Sequence, residues 1–136
     1  MFLIPRRMLA AFALAPIVGG CTESLAQRIA KDPYLPTMMR DPLYLWNPPG
    51  SVKRSEGIRP KSDSQFASGN SSSSINIVFI VLDGQDPDQL LQEGLRIQAA
   101  AGYVDGVREI SPGLKILSNV VRLEDNQVGV VLLAPV

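Results

Sequence analysis

The sequence predicts an α+β fold: a small antiparallel sheet of three to four strands in the order β-β-α-β-β, with one helix packed on one face. Residues 75–82 are apolar on both faces and rich in β-branched side chains, as in an interior strand. Residues 86–101 have the pattern of a capped amphipathic helix. Residues 114–123 and 128–134 flank a polar turn at 124–127, which predicts a hairpin.

A weaker first strand is predicted at residues 52–59, and the helix after the second strand has clear end signals. Asp86 is a good N-cap, Pro87 suits the first helical position, and Asp88 places a negative charge in the first turn. Gly102 is the residue type expected just beyond a helix C-terminus. We therefore expect a helix that ends near residue 101.

One glycine interrupts the apolar stripe of this helix. The stripe consists of Leu90, Leu91, Gly94, Ile97 and Ala101. A glycine in mid-helix costs about 1 kcal/mol relative to alanine. Close approach of the helix to a strand is the expected reason for Gly94.

The first twenty residues have the order of parts found in an export signal. Arg6 and Arg7 supply the positive charge, and residues 8–18 form an apolar run. That run is too short to cross a bilayer, which requires about 20 apolar residues. Gly19 and Gly20 then place small side chains before Cys21. We therefore expect residues 1–20 to be a signal peptide, and we interpret the arginine pair as ordinary signal charge.

The segment Val18-Gly19-Gly20-Cys21 resembles the lipobox of bacterial lipoproteins. The resemblance implies that a diacylglycerol is attached to the sulfur of Cys21 and that the chain is cut before this residue. Two or three acyl chains hold a protein stably on a membrane, whereas one binds only marginally. The alternatives are an ordinary secretory signal with a chance cysteine and a retained membrane helix.

The expected location is the extracytoplasmic face of the cell membrane. Thr22 follows Cys21, in place of the aspartate that commonly signals retention in the inner membrane. The outer membrane therefore also stays open, if the envelope has two membranes.

Residues 21–50 are expected to be a lipidated, proline-rich tether, followed by the α+β domain at residues 51–136 with a serine-rich loop at 62–74. The tether is rich in large apolar side chains. The candidate binding surface consists of Tyr34, Met38, Met39, Tyr44 and Trp46. The alternative for Trp46 is a place in the domain's own core. Trp46-Asn47-Pro48-Pro49-Gly50 is also similar to a segment that precedes the folded unit in many small, uncharacterised bacterial lipoproteins.

The two strands at residues 75–82 and 128–133 pose a packing problem, because one helix covers only one of their two apolar faces. The tether at residues 33–49 is the first candidate to cover the second face. A partner protein or a second copy of the chain is the next candidate, and an incorrect strand assignment is the third.

The composition excludes several kinds of chemistry. The chain has no histidine and one cysteine, so it lacks the residues of the common nucleophile triads, an internal disulfide and thiolate metal clusters. Without Arg6 and Arg7, 11 of the 13 basic residues remain against 13 acidic ones, a net charge of about −2 that predicts no nucleic-acid partner.

The remaining polar groups have ordinary explanations. Asp83, Asp86 and Asp88 lack the order of a calcium loop, and turn and capping roles explain them. Glu109 and Glu124 are interpreted as solvated charges. No histidine is present to activate the serines at 55, 111 and 118, and no nucleophile elbow surrounds them. We therefore expect neither a metal nor a cofactor, apart from the covalent lipid on Cys21.

These observations favour a non-catalytic, membrane-anchored binding or structural accessory module of the cell envelope, with an envelope protein or a second copy as partner. This hypothesis predicts an apolar patch beyond the domain's own core. A small-ligand carrier is the second hypothesis and would need an internal cavity. A hydrolase that uses carboxylates and serines is the weakest.

Overall fold

The computed structural model describes residues 23–61 and 72–135. The expected signal peptide, the lipobox with Cys21 and most of the serine-rich loop lie outside the described residues. Within these residues the elements follow in chain order: α1 (Leu25–Lys31), α2 (Leu35–Met38), α3 (Pro42–Leu45), β1 (Ser51–Arg59), β2 (Ser73–Val81), α4 (Pro87–Ala100), β3 (Val107–Ser111), β4 (Leu114–Leu123) and β5 (Gln127–Ala134).

The strands form one antiparallel sheet in the order β1-β2-β5-β4-β3. The predicted α+β class with an antiparallel sheet is confirmed, but the sheet has five strands and the described chain has four helices. The strand that the sequence did not predict is β3, a short edge strand whose side chains are half-buried or exposed. Such a strand lacks the apolar alternation by which strands are recognised.

Strand β2 begins two residues earlier than predicted. Ser73 and Ser74 were assigned to the serine-rich loop, yet both are buried and paired with β5. The side chain of Ser73 is bonded to a buried carboxylate, which compensates for the hydroxyl's loss of water. Serines therefore extend the strand at a position where hydropathy indicates a loop.

Helix α4 agrees closely with its end signals. The Asp86 side chain accepts a hydrogen bond from the Asp88 amide at 2.9 Å, and Pro87 is the first helical residue. The helix is followed by Gly102, whose φ is 97°. At 14 residues α4 is the longest helix described, and no helix within residues 23–61 and 72–135 combines the length and hydropathy needed to span a membrane.

The segment between α1 and β1 packs on the same face of the sheet as α4. Leu35, Met38, Leu43 and Trp46 are buried in one cluster with the α4-facing side chains of the strands. The expectation that residues 33–49 cover the opposite face is therefore wrong. The segment completes the core beside α4 and is part of the folded unit.

The tight approach predicted at Gly94 is confirmed. A Cβ atom at this position would lie 2.8 Å from Val120 Cγ1 and 2.9 Å from Trp46 Cη2. Both neighbours are buried, so neither can move away at little cost. Because Gly94 has no side chain, α4 can pack directly against both the Trp46 ring and Val120 of β4.

Replacing Gly94 with alanine tests this contact. We expect the free energy of unfolding to fall by about 1–2 kcal/mol, because overpacking outweighs the gain in helix propensity. The measurement is urea unfolding, with Ala99→Gly on the exposed side of α4 as the control for propensity alone. In a Val120→Ala background, Gly94→Ala should cost less than it does in the parent, because the added Cβ then has one fewer close neighbour. A Gly94→Ala protein more stable than the parent would contradict the tight packing.

Candidate functional site

The residues singled out as a binding surface in the N-terminal segment are mostly committed to the core. Met38 is fully buried and Trp46 is 7% exposed, whereas Tyr34, Met39 and Tyr44 are half-buried against the core. The proposed exposure of Met38 and Trp46 is therefore corrected: their apolar side chains fill the space between α4 and the sheet.

Trp46 makes two specific contacts in that position. Its ring meets the Phe79 ring edge-on, with centroids 5.2 Å apart and an angle of 63° between the planes. Its indole Nε1 donates a hydrogen bond to Glu93 Oε2 at 3.2 Å. The alternative role of Trp46, as a residue of the domain's own core, is the one that the structure supports.

Hydrogen bonds to Asp32 connect the start of the segment between α1 and β1 to the sheet. The Asp32 carboxylate accepts hydrogen bonds from the backbone amides of Tyr34, Leu35 and Lys61 at 2.7–2.9 Å and from the Ser73 hydroxyl at 2.8 Å. Burial alone would raise the pKa of Asp32, but these donors together hold the pKa below its ordinary value. Asp32 thus ends α1 through its backbone N–H, while its side chain accepts from the first amide of α2 and from Ser73 of β2.

Asp41 forms a second buried tie, nine positions along the chain. Its side chain is completely buried and accepts hydrogen bonds from the Leu43 amide at 2.9 Å and the Tyr103 hydroxyl at 2.7 Å. The Arg108 guanidinium lies 3.0 Å from the carboxylate and stacks over the Tyr103 ring. Burial and the Asp41 carboxylate both raise the pKa of Tyr103. This residue therefore stays a neutral hydrogen-bond donor.

The sequence marks these two aspartates only by a local turn signal. Each starts an Asp-Pro pair, and each does bond to a backbone amide two residues later, as a turn starter should. The Asp-Pro dipeptide that occurs at residues 32–33 and again at 41–42 is the only sequence feature that the two aspartates share. The distant partners, Ser73 for Asp32 and Tyr103 with Arg108 for Asp41, carry no local signature.

The other candidate groups do not come together as a reactive site. Glu109 lies opposite Lys115 in the β3–β4 pair, whereas Glu124 follows the far end of β4, which is about 30 Å long at ~3.3 Å per residue. Within the described ranges, no three His, Cys, Asp or Glu side chains are close enough to hold a metal ion. The Ser118 hydroxyl accepts a hydrogen bond from Gln98 Nε2 at 2.8 Å.

A groove of about 560 Å³ runs beside the first half of α4. Its lining includes Pro49 and Gly50 on one side and Asp86, Asp88 and Glu93 of the helix region on the other. Asp86 caps the helix, Glu93 accepts a hydrogen bond from the Trp46 indole, and Asp88 lies 3.3 Å from Arg122 Nε. The acidic residues that line this groove thus already have structural partners.

The face of the sheet opposite α4, hereafter the open face, is the largest feature that the fold leaves unexplained. Side chains alternate along each strand, and the residues buried beneath the helices belong to the other face. On β2, β4 and β5 the apolar members of the open face are all half-buried: Val78, Ile80, Leu117, Val121, Leu123, Val131 and Leu133. None belongs to the core or packs against it. No helix within the described chain covers them.

The polar side chains of the open face lie both at its ends and near its middle, where Asn76 and Asn119 flank Val131. Across the three central strands they are Ser74, Asn76, Lys115, Asn119 and Gln127, of which one is charged. Arg59 and Glu109 lie on the outer strands β1 and β3. Charge is therefore scarce in the middle and present at the edges, the distribution found in protein interfaces.

We predict that Asp32→Asn lowers the free energy of unfolding by about 2–3 kcal/mol at neutral pH, because the amide replaces a charged acceptor of several hydrogen bonds. Since the pKa of Asp32 is lowered by folding, its contribution is present above the unfolded value of 3.8 and is lost as the pH falls through the lower folded value. The difference between parent and variant should be constant from pH 7 to about 5 and shrink below about 4.

The measurement is urea unfolding at several pH values, with the exposed Asp83→Asn as the matched control. That control should change stability little at any pH. A difference for Asp32→Asn that stays the same at about pH 3 would show that its carboxylate does not contribute as inferred.

Comparisons with known proteins add no family to this picture. No protein-family model, no curated protein and no solved structure matches the chain.

Proposed function

We propose that this chain is a lipoprotein anchored through Cys21 to the extracytoplasmic face of a membrane, and that its domain is a non-catalytic binding or structural module of the cell envelope. The open face is the surface by which it binds. A lipobox-like Val18-Gly19-Gly20 before Cys21 supports the anchor.

The observation that carries the binding role is the apolar centre of the open face. The largest apolar patch on a protein surface is often an interaction site. Here seven half-buried aliphatic side chains lie on three adjacent strands of a face that no described helix covers. The N-terminal segment is held on the other face by Asp32 and Asp41, so it does not supply the cover.

The alternatives have less support. A small-ligand carrier needs an enclosed apolar cavity, and the groove beside α4 is lined largely by polar and charged side chains. A hydrolase needs a nucleophile or a pair of carboxylates in reach of one another. Glu109 and Glu124 lie at opposite ends of β4. We therefore retain binding as the function.

The anchor is tested by growing cells with a clickable palmitate analogue. We expect the parent to be labelled, to begin at an acylated Cys21 by mass spectrometry and to sediment with membranes. Cys21→Ser should lose both the label and the sedimentation, because the acyl chains supply the membrane affinity. Thr22→Ser, adjacent to the cysteine, is the control that should keep both. An unlabelled parent would refute the anchor.

The binding surface is tested by the reactivity of an introduced thiol with a bulky maleimide. We expect the thiol of Val121→Cys, at the centre of the open face, to react slowly in native membranes and fast in the purified, dilute protein. Arg96→Cys, exposed on α4, should react fast in both. Equal reactivity of Val121→Cys in the two preparations would show that the open face is uncovered in the cell.

A further inference from the structure

We infer that the open face packs against the open face of a second copy of this chain, with the two-fold axis parallel to the strands. In this arrangement β5 lies on β5 of the second copy, and β1 of each copy lies over β3 of the other. The inference rests on the proposed function, because it names the partner of the same surface.

The edges of the sheet are poorly suited to pairing with another chain. β1 has a register shift between Lys53 and Ser55, and cationic side chains line it at positions 53, 54 and 59. β3 has five residues and a register shift between Glu109 and Ser111. Short, bulged and charged edge strands are those that resist edge-to-edge association. Association of two copies is therefore expected through faces.

The size of the open face fits a face-to-face pair. Five strands about 4.8 Å apart, with eight to ten residues in each central strand at about 3.3 Å per residue, give a footprint of roughly 600 Å². Two such faces in contact would bury about 1,200 Å², the lower end of the range for stable, specific interfaces. A partner much smaller than a second copy would leave part of the apolar surface in water.

The central strand also suits a close, symmetric approach. Gly129 lies in the middle of β5, and its missing side chain leaves room that Leu123 and Val121 fill from β4. The row of Val78, Gly129 and Val121 is thus low and aliphatic, and in the next row the uncharged amides of Asn76 and Asn119 flank Val131. Two twisted sheets whose facing surfaces carry short aliphatic side chains can pack as the layers of a β-sandwich do.

Charged side chains on the outer strands favour one relative orientation of the two sheets. Arg59 on β1 and Val107 on β3 are the two ends of one row across the sheet, and Glu109 lies two residues beyond that row. A two-fold axis parallel to the strands places Arg59 of each copy over β3 of the other, about 7 Å along the strand from Glu109. An arginine side chain can reach across that distance. The symmetric pair therefore places Arg59 of each copy within reach of Glu109 of the other, whose cross-strand neighbour is Lys115.

The first test uses Val131→Cys in the full chain, expressed in native membranes and treated with a short bis-maleimide reagent. Stacked sheets lie about 10 Å apart, so the two thiols at the centre of β5 come within the reagent's reach. We expect a crosslinked species of twice the monomer mass. Arg96→Cys, on the helix side, should stay monomeric, as should the parent.

The second test reverses charges in the Val131→Cys background. Arg59→Glu alone and Glu109→Arg alone should each lower the crosslinked fraction by about fivefold to tenfold, because each places like charges together twice in the dimer. The double reversal should restore at least half of the crosslinking. Arg96→Glu is the matched reversal away from the interface and should change nothing. Reversals without effect would overturn the β1-over-β3 arrangement.

These experiments distinguish failure of the proposed pair of copies from failure of the proposed membrane-anchored binding role. If Val131→Cys stays monomeric, or joins a species of another mass, the second copy is not the occupant, although labelling of Cys21 and protection of Val121→Cys can still hold. Repeating the crosslinking with Cys21→Ser shows whether the pair needs the anchor. A parent that carries no palmitate label but still crosslinks through Val131→Cys would contradict the membrane role and leave the pair intact.

Discussion

The buried carboxylate of Asp41 is the interaction on which the arrangement of this protein depends. A completely buried charge is costly unless it is paired and hydrogen-bonded, and here the Leu43 amide, the Tyr103 hydroxyl and the Arg108 guanidinium meet that need. These partners lie at the start of α3, just after α4 and on β3. Asp41 therefore holds the N-terminal segment against the end of α4, which in turn places Trp46 on Phe79 and requires a glycine at position 94.

The open face follows from the same arrangement. A five-stranded sheet with apolar residues on both sides needs cover on both, and the described chain has helices for one. If the N-terminal segment lay on the far side, the space beside α4 would lose Leu35, Met38, Leu43 and Trp46 from its core. Asp32 and Asp41 decide between the two placements, because their donors, Ser73 and Tyr103, point to the α4 side. Specific polar contacts thus determine which face of the sheet the N-terminal segment packs on. Burial of its apolar side chains supplies most of the free energy of that packing.

Much of the fold could be predicted from local sequence patterns. The rest depends on contacts between residues that are far apart in the chain. The ends of α4 follow from Asp86, Pro87 and Gly102, and the glycine at 94 follows from its place on an apolar stripe. β3 has no such pattern, since a short edge strand is half in water. The side of the sheet that receives Trp46 could not be predicted, because hydropathy measures how much apolar surface a segment has and not where it packs. The open face could be expected as a consequence of two-sided strands, but its lack of charge at the centre appears only once the register is known.

The position of Asp32 limits how far the domain can lie from Cys21, the residue proposed to carry the lipid. Ten residues lie between Cys21 and the buried Asp32, and seven of them form α1, which rises about 10 Å in all. Even with the remaining links fully extended at about 3.5 Å each, the first point of the core lies within roughly 30 Å of the cysteine. An anchored copy would therefore be confined to a layer little thicker than the domain itself. Two copies anchored in this way would meet sideways on one membrane and would not bridge two membranes.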